Sequence, residues 1–294
     1  MKRPLAVAAL AGALFAAPVL AAPAWTAVDL AIGRPGTEQP GGVHRYSLPR
    51  SDLKVTLDGV AIKPALALGS WAAFQPMGDD AMVMGDLVLT HEEVNPVMSR
   101  LLASGFTITA LHNHLLRSIP ATMYMHVGAH GDPVKLAHAL HDALAASHTP
   151  LIAPPPAAQP APVLAIETTA LDKIMGAAGK ANGGVYQFGF PRAERMVADG
   201  MVTPASMGTA TAINFQPTGS GKAASTGDFV LIASEVGPVL RALRAGGVEV
   251  TALHNHMLND EPRLFFMHFW ANENALTLAK TLRSALDLMN LQRP

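Results

Sequence analysis

Six of the twelve histidines in the 294-residue chain form two triplets with the same internal spacing, one in each half. They are His112, His114, His126, His254, His256 and His268. The other six histidines all lie in the first half and have no counterpart in the second. Neutral imidazoles are common ligands of transition metals, and three of them beside one open position make a typical catalytic zinc site. The two triplets therefore predict metal-binding residues.

The spacing within the first triplet predicts how its side chains are arranged. His112 and His114 are two residues apart in a segment expected to be a strand, so both side chains should project from one face. If residues 117–121 form the turn of a hairpin, the register places His126 directly opposite His112 on the next strand. Each half of the chain is then expected to bring three imidazoles close enough to share one ion.

Zinc is the expected ion, and copper is the less favoured alternative. Met123 and Met125 lie close to His126 in sequence, and thioethers together with imidazoles suit Cu(I). Two further interpretations stay open: the histidines could bind another small ligand, or they could be core residues of a structural protein.

Two pairs of carboxylates recur at matching positions in the two halves. Glu93 and Glu235 stand in the motif E-V-x-P-V at the start of a predicted helix. There a carboxylate can cap the helix, or it can act as a metal ligand or a catalytic general base. Asp86 and Asp228 stand in G-D-x-V-L, and we interpret them as turn residues leading into a strand, with a ligand role as the alternative.

These recurring residues reflect a duplication of most of the chain. Between residues 85–126 and 227–268, half of the positions are identical without a gap. Helical spacing and short alternating runs predict an α+β fold of two tandem homologous modules, each with several mostly antiparallel strands followed by α-β-β-α. The modules are expected to span 22–149 and 163–294, joined by a proline-rich linker at 150–162, and to pack on each other.

The N-terminus has the pattern of an export signal. Lys2 and Arg3 precede an apolar stretch at 5–20, and small residues suit cleavage after Ala21. Residues 1–21 are therefore predicted to be a signal peptide whose removal leaves no transmembrane anchor. The mature protein is expected to be periplasmic or secreted.

Composition argues against several functional classes. Lys and Arg number 21 against 22 for Asp and Glu, so the chain has no excess of positive charge for binding nucleic acid. The sequence contains no cysteine, which excludes disulfides, thiolate nucleophiles and cysteine-ligated metal sites within it.

Several of the motifs resemble a known family. The segment A-L-H-N-H-[LM]-L, the following Pro120 or Pro262, and the Met-His pairs at 125–126 and 267–268 resemble the LppY/LpqO lipoprotein-like family. This is a bacterial domain of unknown function that often occurs as two tandem copies. The resemblance implies export and a two-domain layout, without an assigned reaction. One departure is that this chain has no cysteine that could carry a lipid.

The sequence thus predicts an exported tandem-repeat protein that binds a transition metal such as zinc. Metal-dependent hydrolysis is one candidate activity, with Glu93 or Glu235 as the base. The alternatives are non-catalytic binding of a ligand or copper, or a structural role in the cell envelope. A small-molecule partner is expected but not identified, and nucleic acid is not expected as a partner.

Overall fold

The computed structural model describes residues 25–152 and 163–292. The predicted signal peptide at 1–21 lies outside the described residues, as does all but the first three positions of the predicted linker at 150–162. Within the described ranges, no helix is both long enough and apolar enough to cross a membrane.

The first module begins with a short helix and continues mainly as strands. Its elements are α1 (Trp25–Ile32), β1 (Thr37–Gln39), β2 (Val43–Pro49), β3 (Thr56–Leu57), β4 (Val60–Ala61), α2 (Pro64–Ala67), β5 (Gly69–Met77), β6 (Asp80–Thr90), α3 (His91–Ala103), β7 (Thr107–His112), β8 (Thr122–Gly131) and α4 (Pro133–Leu144). The sequence patterns did not predict α1 or α2. Because α2 starts with Pro64 at its first turn and runs to Ala67, strand β5 begins only at Gly69.

The second module repeats this order of elements and adds one short strand, β16 (Asp260–Glu261). They are α5 (Thr168–Met175), β9 (Lys180–Asn182), β10 (Val185–Pro191), β11 (Val197–Ala198), β12 (Met201–Val202), a 3₁₀ turn (Ala205–Met207), β13 (Ala210–Gly219), β14 (Lys222–Ile232), α6 (Ala233–Ala245), β15 (Glu249–His254), β16 (Asp260–Glu261), β17 (Leu264–Asn274) and α7 (Ala275–Leu286). The 3₁₀ turn takes the place of α2.

Each module is built around one six-stranded sheet. The strand order is β1-β2-β5-β6-β8-β7 in the first module and β15-β17-β14-β13-β10-β9 in the second, so the two sheets have the same topology. Neighbouring strands in both sheets are antiparallel. The predicted α+β class, with mostly antiparallel strands in two tandem modules, is confirmed.

Each sheet has one face covered by its own helices. In the first module, Ile32 of α1, Leu101 of α3 and Leu140 of α4 pack with Phe74 of β5 in a buried cluster. An equivalent cluster fills the second module. Apolar side chains that alternate along a strand bury one face under amphipathic helices, which leaves the other face of each sheet for a different partner.

The free faces of the two sheets pack against each other. Val88 and Tyr124 from the first sheet share a buried cluster with Ala224 and Trp270 from the second. A further cluster joins Met84 to residues of β14 and β17. The molecule therefore has four layers, helices–sheet–sheet–helices, and the inner faces of both sheets form one interface between the modules.

The register of β7 and β8 differs from the one expected. His112 lies opposite Tyr124 rather than His126, so the predicted direct pairing is wrong by two residues. The reason is that residues 113–121 leave the sheet: the backbone of Ile119 exchanges two hydrogen bonds with Thr56 of β3, of 2.8 and 2.9 Å. A shift of two positions keeps both imidazoles on the same, inner face.

Candidate metal centre

The histidines of both triplets meet in one cluster at the interface between the modules. They form three closely spaced pairs across the interface, of which His112–His254 is tilted and the other two are stacked. The pairs are His112–His254 (3.6 Å between ring centroids), His114–His268 (3.5 Å) and His126–His256 (3.6 Å). The spacing of the triplets does not indicate that they come together, because no local pattern specifies which faces of the two modules meet.

Within a module, the first two histidines of the triplet are in direct contact. His112 Nε2 and His114 Nε2 are 2.8 Å apart, and the His114 ring stacks on Tyr124 with 3.4 Å between centroids. The second module repeats these contacts at 2.9 and 3.4 Å, with Phe266 in place of the tyrosine. The stacking residue therefore fixes the orientation of the imidazole that lies beyond the end of the strand.

A buried aspartate accompanies each triplet. Asp86 lies opposite His126 in the pairing of β6 with β8, and Asp228 lies opposite His268 in the second sheet. The carboxylate oxygens are 3.8 and 3.9 Å from Nε2 of these histidines. The interpretation of both aspartates as turn residues is wrong, because they stand in the middle of long strands.

Two groups of potential ligands, one from each module, use these aspartates. They are Asp86, His114, His126 and Asp228, His256, His268. Two further groups draw on both modules and share His112 and His254. Their members are His112, His126, His254, His256 and His112, His114, His254, His268. In each group, all ligand atoms lie within 4.8 Å of one another, so small side-chain movements would bring them around one ion.

Several buried atoms in these groups have no hydrogen-bond partner among the described residues. They are Asp86 Oδ1, His126 Nε2, Asp228 Oδ1, His268 Nε2, and Nδ1 of His112 and His254. A buried polar atom without a partner costs about 1–3 kcal/mol. Carboxylate oxygens and neutral imidazole nitrogens are both metal ligands, so a cation would satisfy them together. The chemistry of this set fits a metal.

A cavity of about 660 Å³ opens beside the cluster. Its walls include all six members of the two single-module groups, and they do not include His112 or His254. A metal held by either single-module group would therefore have coordination positions that face the cavity.

Burial changes the protonation of every group in the cluster. It lowers the pKa of His112 to about 3 and that of His254 to about 4, and it lowers the pKa of the other four cluster histidines well below the usual range. Burial raises the pKa of Asp86 to about 8, although Arg45 opposes this, and raises that of Asp228 well above its usual range. At neutral pH the imidazoles are thus in the neutral form that binds metals.

Glu93 and Glu235 are not brought to this cluster. Arg50 donates two hydrogen bonds to Glu93, of 2.7 and 3.1 Å, and the backbone N–H of Thr90 donates another. Arg192 holds Glu235 in the same way. Neither carboxylate belongs to a candidate ligand group among the described residues. Their catalytic role stays a prediction, and no contact in the structure supports it.

The two methionines that suggested copper as the bound ion face away from the histidines. Met125 is fully buried in the cluster beneath the helices of the first module, and Met123 packs against the same cluster. They therefore lie on the opposite face of β8 from His126, where their thioethers cannot join it around an ion.

Replacing Glu93 by Gln should lower the free energy of unfolding by about 2 kcal/mol, because it removes the buried counter-charge of Arg50 and leaves only Asp52 paired with it. Urea unfolding measures this change. Glu92→Gln is the matched control: Glu92 is exposed, and we expect its effect to stay within about 0.5 kcal/mol. Equal stability of the two variants, or loss of bound metal from a stable Glu93→Gln protein, would contradict the structural role of Glu93.

The metal-free protein should be most stable near pH 6.5 to 7. The cluster histidines have lowered pKa values in the folded state, so the unfolded chain binds more protons below about pH 6.5, and stability falls as the pH falls toward 4. The aspartates act in the opposite sense, since the raised pKa of Asp86 means stability is lost as the pH rises toward 8. Below about pH 6.5 the six histidines determine the direction of the change in stability, because they outnumber the two aspartates that act in the opposite sense. Urea unfolding after chelation between pH 4 and 8 tests this, and a flat profile below pH 6.5 would contradict it.

Comparison with known families gives one match. The family described as "Domain of Unknown Function (DUF1259)" matches residues 26–146 and again residues 169–288. The expected resemblance to the LppY/LpqO lipoprotein-like family is therefore corrected: both copies match this differently named family instead. No curated protein matches the chain.

Among solved structures, two crystal structures are similar only at a low level. The crystal structure of the trimeric bacterial microcompartment shell protein PduB has a TM-score of 0.21 and 11% identity, over 86% of this chain and 89% of that one. The crystal structure of EtuB from Clostridium kluyveri has a TM-score of 0.20 and 8% identity, over 86% and 88% of the two chains.

The family match covers most of the chain, and the chain therefore belongs to the family described as Domain of Unknown Function (DUF1259), of which it carries two tandem copies.

Proposed function

We propose that this protein binds divalent transition metal ions, zinc foremost, in a centre that its two modules build together. The ligands are the two single-module groups: Asp86 with His114 and His126, and Asp228 with His256 and His268. These groups share no residue, so each can hold its own ion, and the stoichiometry is two ions per chain.

The observation that carries this proposal is the set of unpaired buried atoms. Asp86 Oδ1 and His126 Nε2 belong to one group, Asp228 Oδ1 and His268 Nε2 belong to the other, and all four lack a partner among the described residues. Packing alone leaves each of these atoms with the full cost of desolvation. Coordination offsets that cost for the carboxylate and the imidazole at once.

The donor set favours zinc. Two imidazoles and one carboxylate with an open position are the ligands of a typical catalytic zinc site, and the same set also serves non-haem Fe(II). Copper loses the support that Met123 and Met125 gave it, because these residues pack on the other face of β8.

The protein is proposed to act outside the cytoplasm. Support comes from the sequence of residues 1–21, where Lys2 and Arg3 precede an apolar stretch and a cleavage position after Ala21.

Metal-dependent hydrolysis is a second candidate function, favoured by the cavity. All six proposed ligands line its wall, so a small molecule in the cavity would lie next to the open positions of both ions. A metal can activate water and polarise the bond under attack at such a position. This version of the activity does not use Glu93 or Glu235.

Metal content and zinc affinity test the proposed centre. The wild-type chain should bind two zinc ions, measured by elemental analysis after dialysis and by calorimetric titration. The double variant Asp86→Asn/Asp228→Asn keeps the shape of both side chains but removes both ligand charges, so zinc affinity should fall at least tenfold.

The matched control is Asp79→Asn/Asp142→Asn, which changes two exposed aspartates in the same way and should bind zinc like the wild type. If the Asp86/Asp228 variant retains wild-type zinc affinity, or if the wild type binds none, the proposed centre is wrong. Recovery of iron rather than zinc would correct only the identity of the ion.

A further inference from the structure

The cavity beside the metal centre has one permanently cationic side chain among the described residues that line it. This is Arg45 of β2, whose neighbours in the wall include Asp86. The guanidinium is largely enclosed: burial lowers the pKa of Arg45 to about 10, against the attraction of Asp86, and the group remains charged at neutral pH. An enclosed cation in a cavity wall needs a reason to be there.

Comparison of the two modules separates the structural contact of Arg45 from its remaining hydrogen-bonding capacity. The equivalent residue of β10 is Gln187, which donates one hydrogen bond of 2.8 Å to the carbonyl of Ala65 in the other module. Arg45 makes the equivalent contact in the other direction, donating from Nη1 to the carbonyl of Ser206 at 2.6 Å. A single N–H donor at this position is thus sufficient for the contact between the modules. Nε and Nη2 of Arg45 have no acceptor among the described residues.

Arg45 is also held in place by a contact that the second module lacks. Its guanidinium carbon lies 3.9 Å from the ring centroid of Trp71, a cation–π stack. Trp71 packs so closely on Gly208 that a Cβ there would lie 2.8 Å from the indole. At the position of Trp71 the second sheet has Ala212, since both residues pair with the aspartate of their own sheet. The arginine is therefore fixed before any ligand arrives.

We propose that the cavity binds the oxyanion group of a small molecule, a carboxylate or a phosphate, between the free N–H groups of Arg45 and the metal ions. The planar guanidinium offers parallel donors that match either group. Two divalent ions would outweigh the charges of Asp86 and Asp228, so a loaded cavity attracts anions. This inference rests on the proposed function and names the class of ligand for the same site.

Calorimetric titration of the zinc-loaded full chain with inorganic phosphate, and separately with acetate, tests the inference. Arg45→Gln is the informative variant, because it installs the residue of the second module and can keep the contact with Ser206. It should weaken binding of at least one probe by about tenfold or more, with two zinc ions still bound. Arg195→Gln removes the same charge from an exposed position and should bind both anions like the wild type.

The possible outcomes distinguish the role of Arg45 from that of the metal centre. A zinc-loaded wild type that binds neither anion, or an Arg45→Gln protein that binds both as tightly as the wild type, overturns the role of Arg45 while the metal centre stands. Weakening by Arg195→Gln equal to that by Arg45→Gln would reduce the effect to net charge and also overturn it. If the wild-type chain takes up no zinc, the proposed function itself is wrong. The metal content of the same samples shows whether this is the case.

Discussion

The docking of two sheets through their inner faces is the contact on which the rest of the molecule depends. Each module could bury its helix-covered face alone, but its inner face would expose the histidines and the aspartate to water. When the faces meet, the tilted rings of His112 and His254 come into contact, and the other four histidines stack in crossed pairs. The second module therefore gives the first a low-dielectric environment, which a carboxylate and neutral imidazoles need to hold a metal tightly.

This arrangement places a polar cluster in an interface that apolar contacts must stabilise. Shared apolar clusters supply those contacts around it, with Tyr124 on one side and Phe266 on the other among the residues next to the imidazoles. Outside them, Arg117 pairs with Asp58 and with Glu249 of the other module, an exposed contact that contributes little energy but fixes alignment. Metal binding would add to this docking, because each site becomes buried only when the faces meet.

Local patterns were sufficient to predict some of these features. The fixed spacing of the triplets identified the histidines, and alternation of apolar residues identified the strands that carry them. The register failed because the pairing of Ile119 with Thr56 is a contact between distant segments, which no hairpin rule anticipates. The prediction of a turn at Asp86 is wrong for a related reason, since a glycine before an aspartate suggests a turn. In the structure, a Cβ at Gly85 would lie 2.9 Å from the carbonyl oxygen of Trp71 in the neighbouring strand. Glycine here permits close approach of strands.

Crystallography of the zinc-loaded protein, with anomalous differences measured at the zinc absorption edge, would locate the bound ions. Two peaks are expected at the interface between the modules, each bound by one aspartate and two histidines of a single module. The predicted ligands are Asp86, His114 and His126 for one peak and Asp228, His256 and His268 for the other. Peaks confined to other histidines such as His138, or no peak within the cluster, would contradict the proposed metal centre.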